Sequence, residues 1–204
     1  MKKPCFDAKC GFSDFVEKTH ENDKEASFMR DTLTISHQTL SGEQRLEGCR
    51  IVDCRLENGL DLTNCLLEHC DLSNLKAERC GIHGIKFLDC RLTGASFAEC
   101  DFRDVTFTDC AARYLNCFGA SFRDCLFERC DCREGVFAQT GWRRSRIEEC
   151  VLMGADCSQL TADRLDLSDS MIEGALFSPE RLKGIVVSSL QAVSFAKMLG
   201  LEVK

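Results

Sequence analysis

Between Leu62 and Phe177 an apolar pattern recurs on every fifth residue without a skip. The segment 97–110, FAECDFRDVTFTDC, displays it. Phe97, Phe102 and Phe107 fall five apart, and Cys100, Val105 and Cys110 each stand two residues before the next centre. An α-helix cannot bury such a set, because at 3.6 residues per turn a five-residue step walks around the whole cylinder. A simple strand cannot either, since its alternation has a period of two. A chain that turns a corner every five residues can, so the period predicts an all-β solenoid.

Each unit carries a large residue at its centre and, two residues earlier, a mostly small one: Cys, Ala, Ser, Thr or Gly. The other positions are polar. One unit every five residues from 62 to 177 gives 24 units. Two inward side chains per unit share a narrow cross-section, so bulk at one position requires smallness at the other. Upstream, Leu46, Cys49, Ile51, Cys54 and Leu56 keep the pattern in a phase shifted by one residue, which predicts a small bulge or bent corner at Glu57–Gly59. Residues 1–45 hold only hints of early coil units (Cys10 with Phe12, Ala26 with Phe28, and Leu33). Residues 17–25, EKTHENDKE, lack any apolar residue and read as a projecting loop or tether. After Leu182 and Val187 the repeat fades. The organisation is therefore N-terminal coil units and a polar loop over 1–45, a repeat body over 46–187 and a C-terminal piece over 188–204.

Composition narrows the classes. With a net charge of −7 and no basic tract, direct nucleic-acid binding is not expected. No stretch approaches ~18 apolar residues, so no membrane span is expected, and the opening MKKPCFDAKC lacks the apolar segment of a signal peptide. The expectation is a cytoplasmic protein. The 16 cysteines admit three readings: a disulfide scaffold, a zinc site or small core residues. They follow the repeat, unlike the irregular spacing of secreted scaffolds, and no CxxC pair occurs. Cys65, Cys70, Cys80, Cys90, Cys100, Cys110, Cys125, Cys130 and Cys150 stand two before a centre, and Cys117, Cys132 and Cys157 stand at one. Packing inside a reducing cytosol fits that regularity.

The segments CDLSN (70–74), ASFAE (95–99) and ASFRD (120–124) follow the pattern A(D/N)LXX, and in them the chain resembles the pentapeptide repeat family. The resemblance implies a right-handed quadrilateral β-helix with four units per coil and one unit per side. Residues 20 apart would then stack. Cys70, Cys90, Cys110, Cys130 and Cys150 would form one column, Phe87, Phe107 and Phe127 a second, and Phe102, Phe122 and Trp142 a third. At the ~4.8 Å spacing of paired strands, six such coils make roughly 30 Å of rod. Each buried Phe contributes on the order of 1.5–3 kcal/mol.

Past the repeat, Ser188–Ser189 suits a helix N-cap. Residues 190–199 place Leu190, Val193, Ala196 and Leu199 on one face, Gly200 stops the helix, and Leu201–Val203 alternates like a short tail strand. One reading is a cap over the open end of the solenoid. The other adds a homodimer contact through Leu190, Val193, Phe195, Met198, Leu199, Leu201 and Val203, because these apolar residues exceed the needs of one cap face. The ending LKG…QA…LGLEV resembles that of the Qnr/MfpA-type quinolone-resistance proteins. That resemblance implies a head-to-head dimer through the C-terminal helix, and a rod that mimics duplex DNA to bind DNA gyrase or topoisomerase IV.

Duplex DNA carries one negative charge per ~1.7 Å of axis, so a mimic needs an acidic stripe. Asp89, Asp109, Glu149 and Asp169 share an outward column, interrupted by Arg129. Glu128 and Glu148 lie beside it, and Asp104 and Asp124 lie around the corner, next to the basic column Arg103, Arg123 and Arg143. Residues 62–177 hold 19 acidic and 13 basic side chains. Both a DNA-like face and an ordinary solvated face with ion pairs worth ~0–1 kcal/mol each fit this pattern. His20, His37, His69 and His83 have no catalytic partners in motif spacing, and no nucleotide-binding or zinc-protease motif occurs. A packed tube offers no substrate cavity. The expectation is a non-enzyme without metal or cofactor that binds gyrase or topoisomerase IV and counters quinolones or gyrase-targeting toxins. A scaffold solenoid for another protein partner is the alternative, and a thiol-based enzyme or metal protein is a third.

Overall fold

The computed structural model describes residues 33–41, 45–56 and 61–203. The hinted early units at Cys10–Phe12 and Ala26–Phe28, the 17–25 loop and the 57–59 bulge lie outside them.

From Leu66 onward, the residues that pair across coils do so in parallel with a partner 20 positions further along the chain. Leu67, Phe87, Phe107, Phe127 and Ile147 form one ladder. Ile82, Phe102, Phe122, Trp142 and Ala162 form another. Between them run two sides joined by single bridges, Arg91–Ala111–Asp131–Val151–Met171 and Ser96–Asn116–Val136–Asp156. Taking the sides in chain order from Phe87, side 1 is centred on Phe87, side 2 on Leu92, side 3 on Phe97 and side 4 on Phe102. Sides 1 and 4 are seven-stranded sheets. This is the expected four-sided parallel solenoid.

The corners explain the period. The residue two after most centres adopts a left-handed conformation: Asp89 at φ 53°, Asp104 at 53°, Asp109 at 54° and Asp124 at 56°. Asp and Asn tolerate that region better than other residues with a Cβ. On sides 2 and 3 the turn is closed by a hydrogen bond from the N–H three residues after the centre, as from Ala95 to the Leu92 carbonyl at 3.0 Å and from Ala120 to Cys117 at 3.0 Å.

Inside, rings stack on rings. Phe87 and Phe107 lie 4.7 Å apart and nearly parallel, Phe107 and Phe127 4.4 Å, Phe102 and Phe122 4.8 Å, and Phe122 and Trp142 4.2 Å. Neighbouring columns meet edge to face, Phe102 against Phe107 at 6.1 Å. Both arrangements suit the ring quadrupole. The small position does more than leave room. Its thiol or hydroxyl satisfies inward-turned backbone: Cys130 Sγ donates to the carbonyls of Phe107 (3.4 Å) and Glu128 (3.3 Å), and Ser145 Oγ donates to Arg143 and accepts from the Cys125 N–H, both at 3.0 Å. The cysteines of columns 70–150 are reduced and buried. Burial pushes the thiol of Cys125 up to about 11 and that of Cys157 up to about 12, so both stay protonated.

Upstream the register changes. Ile35 pairs with Ile51, Leu40 with Leu56, Leu46 with Leu62 and Ile51 with Leu67, all 16 apart. The chain passes from Leu56 to Leu62 in six residues, whereas the later coil takes ten from Leu72 to Ile82. These first coils therefore have three inward centres, and side 3 begins only near Lys76. The one-residue phase shift in the sequence coincides with this change from 16 to 20 residues between paired positions. One expectation is corrected by it. Cys80, placed in the core by its spacing, is exposed because it sits on the first turn of side 3.

Helix α1 (Ser189–Met198) closes the C-terminal end. Ser188 is its N-cap, in a capping box with Gln191. The Gln191 amide also donates to the carbonyls of Leu167 and Ser170, each at 2.8 Å, covering acceptors of the last full coil. Phe195 packs on Phe177 with ring centroids 5.2 Å apart. The expected tail strand is not formed: Leu201–Val203 has no ladder partner among the described residues. The N–H groups of Gly200 and Leu201 turn back to Lys197 and Ala196, which ends the helix and leads the tail away from any sheet edge.

Candidate partner-binding surface

The centres fill the tube from side to side, so chemistry is confined to its outside. One open groove on that outside is lined by Arg113, Tyr114, Met153 and Gly154. Among the described residues no three His, Cys, Asp or Glu side chains converge as metal ligands. No helix among them is long and apolar enough to cross a membrane.

The expected acidic residues fall into three groups. Asp89, Asp109, Glu149 and Asp169 occupy the corner from side 1 to side 2, and Asp104 and Asp124 the corner from side 4 to side 1. Glu128 and Glu148 stand on the strands of side 1. Many of them are already engaged. Arg129 reaches down one coil to grip Asp109 with two bonds, 2.7 and 2.9 Å, and also pairs with Glu128. Arg144 grips Asp124 in the same way, at 2.6 Å twice. Glu148 pairs with Arg146 at 2.8 Å and Asp89 with His69 at 3.2 Å. The Arg129 hydrogen bonds hold the Asp109 carboxyl below its usual range, and those of Arg144 do the same for Asp124. On side 2, Arg133 and Arg113 both bind Asp131, which falls to about 2, chiefly through Arg133. Glu149 and Asp104 have no ion pair among the described residues. The basic neighbours Arg123 and Arg143 likewise lack one, whereas Arg103 binds Asp101 at 2.5 Å.

Two features escaped the sequence reading. Arg129 interrupts the acidic column in the sequence, yet in space it is the clamp that joins two coils. Tyr114 (60% exposed), at the corner between sides 2 and 3, and Phe118 (38% exposed), on side 3, both face outward. Their position in the five-residue frame, one and two residues after a centre, was the available signal. At the C-terminal end Leu190 (85% exposed), Met198, Leu199, Leu201 and Val203 face outward, whereas Phe195 and Val193 are half-buried. Phe195 therefore serves the cap.

Residues 60–137 match the family model described as a pentapeptide repeat region. The chain carries a pentapeptide repeat. The coil extends the pentapeptide pattern beyond that match, to Phe177 and the paired Ile185–Val186. Among solved structures, a trypsin-treated form of QnrB1, described as a plasmid-mediated fluoroquinolone resistance protein, is 18% identical with a TM-score of 0.44. The similarity covers 85% of this chain and 98% of that one. HetL, a pentapeptide repeat protein involved in heterocyst differentiation regulation from the cyanobacterium Nostoc, is 12% identical with a TM-score of 0.28, covering 76% of this chain and 87% of that one. No curated protein sequence matches the chain.

Proposed function

We propose that this pentapeptide repeat rod is a non-catalytic binding protein whose partner is a type II topoisomerase, DNA gyrase or topoisomerase IV. It engages the surface where that enzyme takes duplex DNA and so protects it from quinolones or gyrase-targeting toxins. The observation that carries the reading is the corner between sides 1 and 2. There Asp89 and Asp109 and, past Arg129, Glu149 and Asp169 share one outward column; Asp109 is paired with Arg129, whereas Glu149 and Asp169 have no arginine partner among the described residues. The Qnr/MfpA-like ending supports it, and the outward Leu190, Leu199, Leu201 and Val203 support a homodimer that would double the rod's length. A supercoiling assay with ciprofloxacin tests it. At micromolar protein, altered supercoiling or relief of the drug is expected, and no effect on either overturns the reading.

A second reading has one observation in its favour. Arg129 and Arg144 neutralise Asp109, Glu128 and Asp124 within the chain, which weakens any DNA-like field. A scaffold solenoid binding another protein partner, through surfaces such as Tyr114 and Phe118, fits that neutralisation. A pull-down that recovers such a partner and no topoisomerase would select it.

A further inference from the structure

The change from 16-residue to 20-residue coils leaves one thiol pair in a special position. Cys80 is exposed at the start of side 3, and Cys100, directly above it in the next coil, is buried. Their Sγ atoms lie 3.5 Å apart, and both thiols point at the Ala77 carbonyl, at 3.3 and 2.7 Å. We propose that Cys80 and Cys100 form an oxidation site that closes to a disulfide when the folded protein meets a hydroperoxide.

The backbone is already in place. The Lys76–Ser96 bridge and the Asp101 N–H bond to the Cys80 carbonyl (3.0 Å) hold the two coils in register. The Cα atoms of paired strands stand ~4.8 Å apart, inside the range a disulfide spans. The sulfurs need to close by about 1.5 Å to reach bonding distance, which side-chain rotation supplies. Access decides which thiol reacts first. Cys70, Cys90, Cys110, Cys130 and Cys150 are stacked in the same way but buried, so a peroxide reaches Cys80 before any of them.

The chemistry balances without a further reactant. The Cys80 thiol ionises and its thiolate attacks a peroxide oxygen. An S–O bond forms, the O–O bond breaks, and the leaving hydroxide (or alkoxide) takes up the proton that the thiol released. Cys80 is now a sulfenic acid. The Cys100 sulfur attacks it, the S–S bond forms, the S–O bond breaks, and the departing hydroxide takes the Cys100 proton as water. Cys100, buried behind Cys80 with its sulfur 3.5 Å away, is the resolving partner. A dithiol reductant reverses the bond.

Trypsin separates the two cysteines cleanly: each is the sole cysteine of its peptide, 80–86 and 92–103. The full-length folded protein is treated with hydrogen peroxide, its remaining thiols are alkylated, and the digest is analysed by mass spectrometry. The 80–86/92–103 cross-link is expected, lighter by two hydrogens and lost on reduction. Cys100→Ser should leave a dimedone-trappable sulfenic acid at Cys80. Cys80→Ser, at the exposed end, keeps the test independent of packing around Cys100 and should leave Cys100 unoxidised. Cys80 over-oxidised with Cys100 intact, Cys80 linked to any other cysteine, or Cys80 unmodified would each overturn the proposal.

Discussion

Phe107 lies between the rings of Phe87 and Phe127 and meets Phe102 edge to face, so its environment is made of side chains with the same demand for a dry interior. Phe107→Ala should cost about 3–5 kcal/mol through lost burial and the cavity left behind. Phe107→Asp places a carboxylate where no cation or donor can reach it and should abolish the folded state. Loss of the cooperative melting transition, followed by circular dichroism, is the expected result, and a native-like transition in the Asp variant would refute the assigned core. Outside, Asp131 has its pKa depressed to about 2 by Arg133 and Arg113, below the ~3.9 of an unfolded carboxyl. Its contribution is therefore complete above about pH 4 and disappears as the pH falls toward 2. Partial exposure limits it to on the order of 1 kcal/mol or less. The melting temperature should fall through that window, and Asp131→Asn should flatten part of the fall.

The coil is the element that matters, and it is tested by removing one. Deleting 101–120 joins Cys100 to Ser121 with every side kept in phase, so a cooperative, slightly less stable fold is expected. Deleting 101–115 moves every later unit onto the wrong side and should give no cooperative unfolding in the same denaturant titration. This element was largely legible in the sequence, because an aromatic at 87, 107 and 127 allows only one stacking once four units per coil are granted. The 16-residue coils were not legible. Ile51 and Leu56 look alike whether a coil has three sides or four, and only pairing tells Leu67 to stack on Ile51. Exposure of Cys80 follows from that pairing and was hidden with it. The ion pairs were half visible: Asp109 and Arg129 are 20 apart, but a column reading counts them as opposite charges that cancel, whereas their side chains meet. The helix was read from Ser188 and Gly200. Its contact was not, since Gln191 looks like a surface residue until its amide is seen on the Leu167 and Ser170 carbonyls. Gln191→Ala should loosen α1, measured as faster amide exchange over 189–198 with the coil unchanged. Unchanged exchange there would remove Gln191 from the cap.

At the scale of the whole molecule, the rod presents two chemically distinct surfaces: its charged corners and its apolar C-terminal end. Truncation before Leu190 should yield a monomer by light scattering if that end joins two copies, and a persisting dimer would place the contact elsewhere. The corners carry the proposed function. Glu149 and Asp169 stand one coil apart on the corner from side 1 to side 2, and neither is held by an arginine among the described residues. The most direct measurement is competition: gyrase bound to a fluorescent duplex, titrated with this protein, read by anisotropy. Displacement of the duplex by the native rod, weakened at least tenfold in Glu149→Lys/Asp169→Lys and by raised salt, is the expected result. A duplex that stays bound at micromolar rod, or a double variant that competes as well as the native chain, would contradict it.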